Sequence, residues 1–200
     1  MINKIVIIVW GIIFNGIIPY SIHAQFKNTN QISLGYGDGD TNQTFILFDD
    51  VLPNMVTDIE YGNYKTTGAI NLRYKHAIRD QLTVSGILVY ESISEIVISN
   101  KNKIGSKKHS MYTIGIETDY YYILKKWFQM YTGLGVAYST NNQKFESYTT
   151  SYSNDKRNNS IINYQLIAAG IRVGTSIAGY AELGFGYKGI INFGVSYQFM

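Results

Sequence analysis

The residues able to do chemistry are few. The 200-residue chain has 3 His and no Cys, so thiolate nucleophiles, disulfides and thiolate zinc sites are excluded. His23 lies in the N-terminal segment, and His76 sits at a turn with no partner motif, so it reads as a solvated rim residue. His109 is followed by Ser110, and Glu91 lies in a neighbouring segment; these are the residue types of a hydrolytic relay. A relay needs nucleophile and base within hydrogen-bond reach. Adjacent residues of an extended chain point to opposite faces, so His109 turns toward the interior of a closed sheet and Ser110 away from it. That parity disfavours catalysis. Asp38, Asp40, Asn42 and Asp49 occupy the first, third, fifth and twelfth positions of a calcium-loop spacing. Gln43 stands where the turn glycine belongs and Asp49 replaces the bidentate glutamate, so this weak cation pattern reads as a solvated acidic turn. Phosphate-cradling glycine loops, zinc-protease helices and nucleophile elbows are missing. No metal or cofactor is expected. The net charge of +3 gives no reason to expect a nucleic-acid partner.

Whatever positions these residues is built from extended chain. Residues 1–24 form the one exception: Lys4 precedes an apolar run from Ile5 to Ile18, then Pro19, Ser21 and Ala24. That run of about 15 residues is short of the roughly 20 that a spanning helix needs, so the segment reads as a secretory signal peptide cleaved after Ala24. The remaining domain, residues 25–200, shows apolar and polar residues alternating with period two. At the C-terminus Ile191, Phe193, Val195, Tyr197 and Phe199 interleave with Asn192, Gly194, Ser196 and Gln198. The same pattern marks residues 31–37, 70–75, 82–91, 112–120, 128–138, 161–173 and 180–188, which makes eight strands. Ile167, Ala169, Ile171 and Val173 are expected on the apolar face, as is Tyr187; Tyr121, Tyr131, Tyr164 and Tyr180 are expected on the other.

The polar face identifies the solvent. It carries Arg73, Lys75, Glu91, Glu117, Asp119, Arg172, Glu182 and Lys188 among Gly, Ser, Thr and Asn, too polar for the packed centre of a soluble sandwich. The apolar face must look outward, where water would meet a hydrophobic belt far larger than soluble monomers expose. Acyl chains suit it. Many strands reach about ten residues, the length a tilted strand needs to cross a bilayer. Connections are short at residues 77–80, 123–126 and 174–178, while residues 38–64, about 99–108 and 140–160 read as long polar loops, with a tight turn at 188–190. Short turns on one side and long loops on the other are the build of an outer-membrane barrel. Tyr74, Tyr90, Tyr120, Trp127, Phe128, Tyr138, Tyr187, Tyr197 and Phe199 fall near strand ends, where interfacial girdles lie.

Over residues 25–200 the chain resembles the small eight-stranded outer-membrane β-barrel family. The tail Gly194-Val195-Ser196-Tyr197-Gln198-Phe199 is the most specific part, and the segments 131–136 and 179–187 are similar to family strands. The resemblance implies an all-β, eight-stranded antiparallel up-and-down transmembrane β-barrel in the cell outer membrane, with Tyr197 and Phe199 as the signal presented to the barrel-assembly machinery. Outer-membrane lipid and lipopolysaccharide are the expected partners, and a monomer the expected state.

An interior of eight strands is about wide enough for side chains to fill. Arg73, Glu117, Arg172 and Glu182 all lie near the short-turn ends of their strands, so one salt-bridged interior layer is expected, because buried charge is tolerable when paired. The alternative places the four charges in separate watery pockets. Three functions follow from such a barrel: a structural or interaction protein with long outer loops and a filled lumen, which the filled interior favours; a narrow porin-like channel for small solutes; or an outer-membrane lipid-modifying enzyme. The basic group Lys101, Lys103, Lys107 and Lys108 lies in an outer connection where anionic headgroups are within reach. Phe45-Ile46-Leu47-Phe48 is too apolar for open solvent, and either extends the wall or covers the mouth.

Overall fold

The computed structural model describes residues 27–39, 41, 59–99, 102–148 and 154–200; the signal segment and Phe45 to Phe48 fall outside them. Nine strands follow one another: β1 (Asn30–Asp38), β2 (Ile59–Thr66), β3 (Ala69–Arg79), β4 (Leu82–Ser99), β5 (Asn102–Leu124), β6 (Phe128–Ser147), β7 (Asp155–Gly174), β8 (Ile177–Gly186) and β9 (Ile191–Phe199). All pairings are antiparallel. The order β4-β3-β1-β9-β8-β7-β6-β5 closes through β4 pairing with β5, giving a ring of eight. β2 is the upper continuation of β3, since both pair with β4 in line. The break between them falls at Thr67 and Gly68. There Thr66 Oγ1 accepts the Gly68 N–H at 2.9 Å and Thr67 Oγ1 accepts the Ser92 N–H at 2.9 Å, replacing ladder bonds lost at the irregularity. Gly68 has φ +68° and lies under the Tyr36 ring, which a Cβ would meet at 2.5 Å, so only glycine fits.

The polarity is inside out. Ile114 is 61% exposed, Leu134 66% and Val195 59%, whereas Arg73 and Glu91 are 1% exposed. All eight charged residues expected on the inner face are buried there. On the outer face Tyr36, Tyr90, Tyr112, Tyr138, Tyr164, Phe185 and Phe193 trace an upper aromatic girdle, and Tyr74, Tyr120, Trp127, Phe128, Tyr197 and Phe199 a lower one. From Tyr112 to Tyr120 along β5 is about 27 Å at 3.3 to 3.4 Å per residue, or about 19–22 Å along the barrel axis at a tilt of about 35–45°, so the two girdles lie near the edges of an apolar band about 25 Å tall.

Three expectations are corrected. Residues 99–108 and 140–160 are largely strand, not loop: β4, β5, β6 and β7 run on above the upper girdle, and β2 joins them as a fifth member. Above the girdle the polarity inverts. Ile93, Val97, Ile104 and Met111 are buried while Lys108 and Lys144 are exposed, so a search for one continuous apolar face stops at Tyr90 and Tyr112. A second correction concerns β7. Its ladder to β8 shifts between Ile167 and Ala169 and its ladder to β6 shifts at the same level, opposite Tyr131/Gly133, which marks one extra residue in β7 that reverses its faces while β6 keeps its parity. Ile167 is therefore buried against Ala77, Tyr121 and Tyr131, and Tyr164 is 52% exposed on the outside. The third is Tyr187, expected outward but fully buried. β8 ends at Gly186 (φ +146°), and both Tyr187 and Lys188 turn into the lumen.

The rim is uneven. β8, β9 and β1 stop at Gly186, Ile191 and Asp38, whereas β4 to β7 continue for many residues. Chain leaving β1 crosses this low side: Thr41, 3% exposed, donates its hydroxyl to Asn163 Oδ1 of β7 at 2.9 Å.

Candidate functional site: a charged layer closing the lumen

Three strands that are not adjacent in the ring, and one turn, supply the layer from across the lumen. β3 sends Arg73 and Lys75 inward, β5 sends Glu117 and Asp119, β8 sends Glu182, and the turn between β8 and β9 drops Lys188 from above. Three cations meet three anions. Arg73 Nη1 lies 3.0 Å from Glu117 Oε2, and its Nη2 lies 2.8 Å from Glu182 Oε1. Lys188 Nζ bridges the same two carboxylates, at 3.0 Å from Glu117 and 2.9 Å from Glu182. Lys75 pairs with Asp119 and donates to the Tyr121 hydroxyl at 2.8 Å. All six side chains are at most 2% exposed.

Neutral groups complete the shell. Tyr187 donates to Glu117 Oε1 at 2.9 Å, Tyr131 to Glu182 Oε1 at 2.8 Å, and Asn192 to Glu182 Oε2 at 2.8 Å. Asn71 in turn donates to Asn192 Oδ1 at 2.8 Å. The Arg73 guanidinium lies 5.5 Å from the centre of the Tyr180 ring, and the Lys75 ammonium 4.7 Å from that of Tyr131, within cation–π range. Charge in this enclosure is tolerable because each sign is matched and each carboxylate of the Glu117 and Glu182 pair has several donors.

The lysine arrives by a backbone device. Gly189 has φ +100°, and a Cβ there would stand 2.2 Å from the Asp38 carbonyl oxygen. Ile190 N–H donates to that same Asp38 oxygen at 2.8 Å, and a Cβ on Gly37 would strike the Lys188 carbonyl. The turn is thus pressed onto the end of β1, with its Tyr and Lys aimed down the lumen.

Of the four residues expected to share a layer, the structure brings Arg73, Glu117 and Glu182 together and leaves Arg172 apart. Arg172 donates from Nε to Ser196 Oγ at 2.9 Å and from Nη2 to the Thr175 and Ser176 carbonyls at 2.8 and 3.3 Å, tying down the β7–β8 turn. Its side chain is buried below the layer because the β7–β8 register pairs Gly170 with Glu182 and Arg172 with Tyr180, two residues nearer the lower end. Lys75, Asp119 and Lys188 take the remaining places. Each alternates onto the polar face, so the pattern contains them, but levels around a ring depend on register, and Lys188 enters from a turn.

The other candidates are scattered. His109 is buried at the upper end, with Nδ1 3.1 Å from the Asn141 amide and Nε2 3.7 Å from Glu95 Oε1. Ser110 lies on the opposite face of β5, and Glu91 accepts instead from the Thr66 hydroxyl at 3.0 Å. Asp38 caps the Gly39 N–H at 2.9 Å, while Asp40, Asn42 and Asp49 lie outside the described residues. Tyr197 and Phe199 stack side by side on the outer face at 5.7 Å. His76 Nδ1 meets Asn30 Oδ1 at 2.9 Å at the lower rim.

No family model matches the chain, and no curated protein matches it significantly. Among solved structures it is similar to Ail, the attachment invasion locus protein of Yersinia pestis, at 14% identity and TM-score 0.46 over 86% of this chain and 99% of that one. Ail in complex with the heparin analogue sucrose octasulfate gives 14% and 0.47 with the same coverage. The outer membrane protein OprG from Pseudomonas aeruginosa gives 14% and 0.42, over 86% of this chain and 96% of that chain. The fold itself stands on the closed register: an eight-staved, antiparallel, up-and-down barrel of transmembrane polarity.

Proposed function

We propose that the protein is an integral outer-membrane β-barrel with a structural or interaction role, exerted through the parts of its wall that rise above the membrane. The carrying observation is the filled lumen. Arg73, Lys75, Lys188, Glu117, Asp119 and Glu182 are packed among Tyr121, Tyr131, Tyr180 and Tyr187, all at most 5% exposed, so solutes and water have no open path along the axis. A porin-like role would require that layer to part, breaking several short charge-assisted bonds at once. Lipid hydrolysis would need a nucleophile beside His109, and Ser110 points away from it.

Two measurements on the membrane-inserted protein test this. Electrophoresis of the outer-membrane fraction should give a compact unboiled band that shifts on boiling. Planar-bilayer recording of the purified barrel should give no steady conductance. A soluble periplasmic protein would defeat the membrane reading; reproducible single-channel steps would defeat the closed lumen and promote the channel.

A further inference from the structure

Lys65, Lys108, Lys144 and Lys156 lie in one cross-strand row. The registers pair Lys65 of β2 with Ser94 of β4, Ser94 with Lys108 of β5, Lys108 with Lys144 of β6, and Lys144 with Lys156 of β7. Directly paired residues share a face, and Lys108 shares the outward face with Tyr112 and Ile114, so the row lies on the outside of the wall. All four lysines are exposed, and none makes an ion pair among the described residues. Glu146, two residues from Lys144 and paired with Ser106, is the described acidic residue of that face close to the row. Like charges directly opposite one another destabilise a sheet. Three abreast on adjacent strands therefore call for an anion.

The residues beneath the row say which anion. Ascending β5, the outward side chains are Ile116, Ile114, Tyr112, Ser110 and Lys108; ascending β6, Val136, Tyr138, Thr140, Asn142 and Lys144; ascending β7, Tyr164, Ile162, Ser160, Asn158 and Lys156. Each strand passes from the apolar and aromatic band through hydroxyls and amides to a lysine. That is the order of acyl chain, sugar and phosphate in a phosphorylated glycolipid. Lys108 stands four residues above Tyr112, Lys144 six above Tyr138 and Lys156 eight above Tyr164. At about 3.3 Å per residue the row climbs from roughly 13 to 26 Å along the strands, through a headgroup several sugars deep.

We infer that this row is a binding site for the phosphate groups of an outer-leaflet phosphorylated glycolipid, seated against the outer wall of β5 to β7. The inference rests on the outer-membrane reading and names the lipid chemistry that the raised wall takes.

The test uses the full barrel refolded in neutral detergent, with fluorescent lipopolysaccharide, its enzymatically dephosphorylated form, phosphatidylcholine and soluble tripolyphosphate as probes. Wild type should bind the phosphorylated glycolipid at least about tenfold more tightly than the dephosphorylated one, since each lysine near an anionic surface contributes appreciably. The triple variant K108Q/K144Q/K156Q should lose that preference, and K108R/K144R/K156R should keep it. Equal binding of both glycolipid forms by wild type, or an undiminished preference in the glutamine variant, overturns the proposal. Binding of tripolyphosphate as tight as that of the glycolipid overturns the lipid as occupant and assigns the row to a soluble polyanion. Boiling-dependent gel shifts of all three proteins separate the two levels: a missing shift in wild type sinks the membrane reading, while normal shifts confine any failure to the row.

Discussion

Removing the Glu117 carboxylate perturbs the layer where its charges converge. Glu117 accepts from Arg73 at 3.0 Å, Lys188 at 3.0 Å and Tyr187 at 2.9 Å. In Glu117→Ala three cations face two anions in a space where no charged side chain is more than 2% exposed. Glu182 still holds both Arg73 and Lys188, so neither cation is wholly abandoned, yet one unit of positive charge has no partner. Stranding one member of a buried ion pair costs about 3–5 kcal/mol. Glu117→Gln keeps the shape and an acceptor oxygen but not the charge, and Lys188→Met removes a cation. The double variant E117Q/K188M restores neutrality with two cations and two anions. It should recover part of the single-variant losses, a coupling of about 0.5–3 kcal/mol. Denaturant unfolding in lipid vesicles measures this, with Trp127, 60% exposed in the lower girdle, as the fluorescent reporter. A loss under about 1 kcal/mol for Glu117→Ala, or strictly additive losses in the double variant, would refute an interior dry enough to need charge balance.

Three further outcomes follow from the same geometry. Gly189→Ala forces a Cβ into the Asp38 backbone at positive φ, and should cost about 1–3 kcal/mol in the same unfolding assay while loosening Lys188 from the layer. Leu134→Arg puts a cation in the middle of the lipid-facing band and should cost about 2–4 kcal/mol, whereas the same change at Lys144 above the band should be near neutral. Replacing Tyr197 and Phe199 together by alanine should lower the fraction that reaches the boiling-sensitive folded form in cells, measured by electrophoresis of membrane fractions, while purified protein still refolds into detergent.

Much of the barrel is legible in the sequence, because within the membrane the outward face must be apolar at every second residue. From Leu134 to Tyr138 or Phe193 to Tyr197 that requirement writes a clean alternation. Where lipid ends, it lapses. The upper strands expose Lys108 and Lys144 outside the acyl region and bury Ile93 and Met111, so alternation persists with its sign reversed, and the stretches read as loops. Bulges defeat parity in a second way, since one extra residue near Ala168 sends Ile167 inward and Tyr164 outward, and neither change alters composition. The charged layer was readable as a set of inward residues but not as a set of contacts. Arg172 and Arg73 carry the same signal along the chain, and only the register places one beside Glu182 and the other beside Ser196. Lys188 illustrates the remaining gap: a tight turn announces itself by Gly189, but the direction in which it folds depends on the end of β1 against which it packs.

The central claim is that apolar side chains face lipid and ionic ones the axis. The absence of Cys allows single cysteines to be placed along β6 and spin-labelled in the membrane-inserted protein. Labels at positions 134, 136 and 138 should collide freely with oxygen dissolved in the bilayer, and labels at 131, 137 and 139 should be shielded, a period-two profile in phase with the outward residues. The opposite phase, with 134, 136 and 138 shielded and 137 and 139 accessible, would contradict the inside-out barrel and everything built on it.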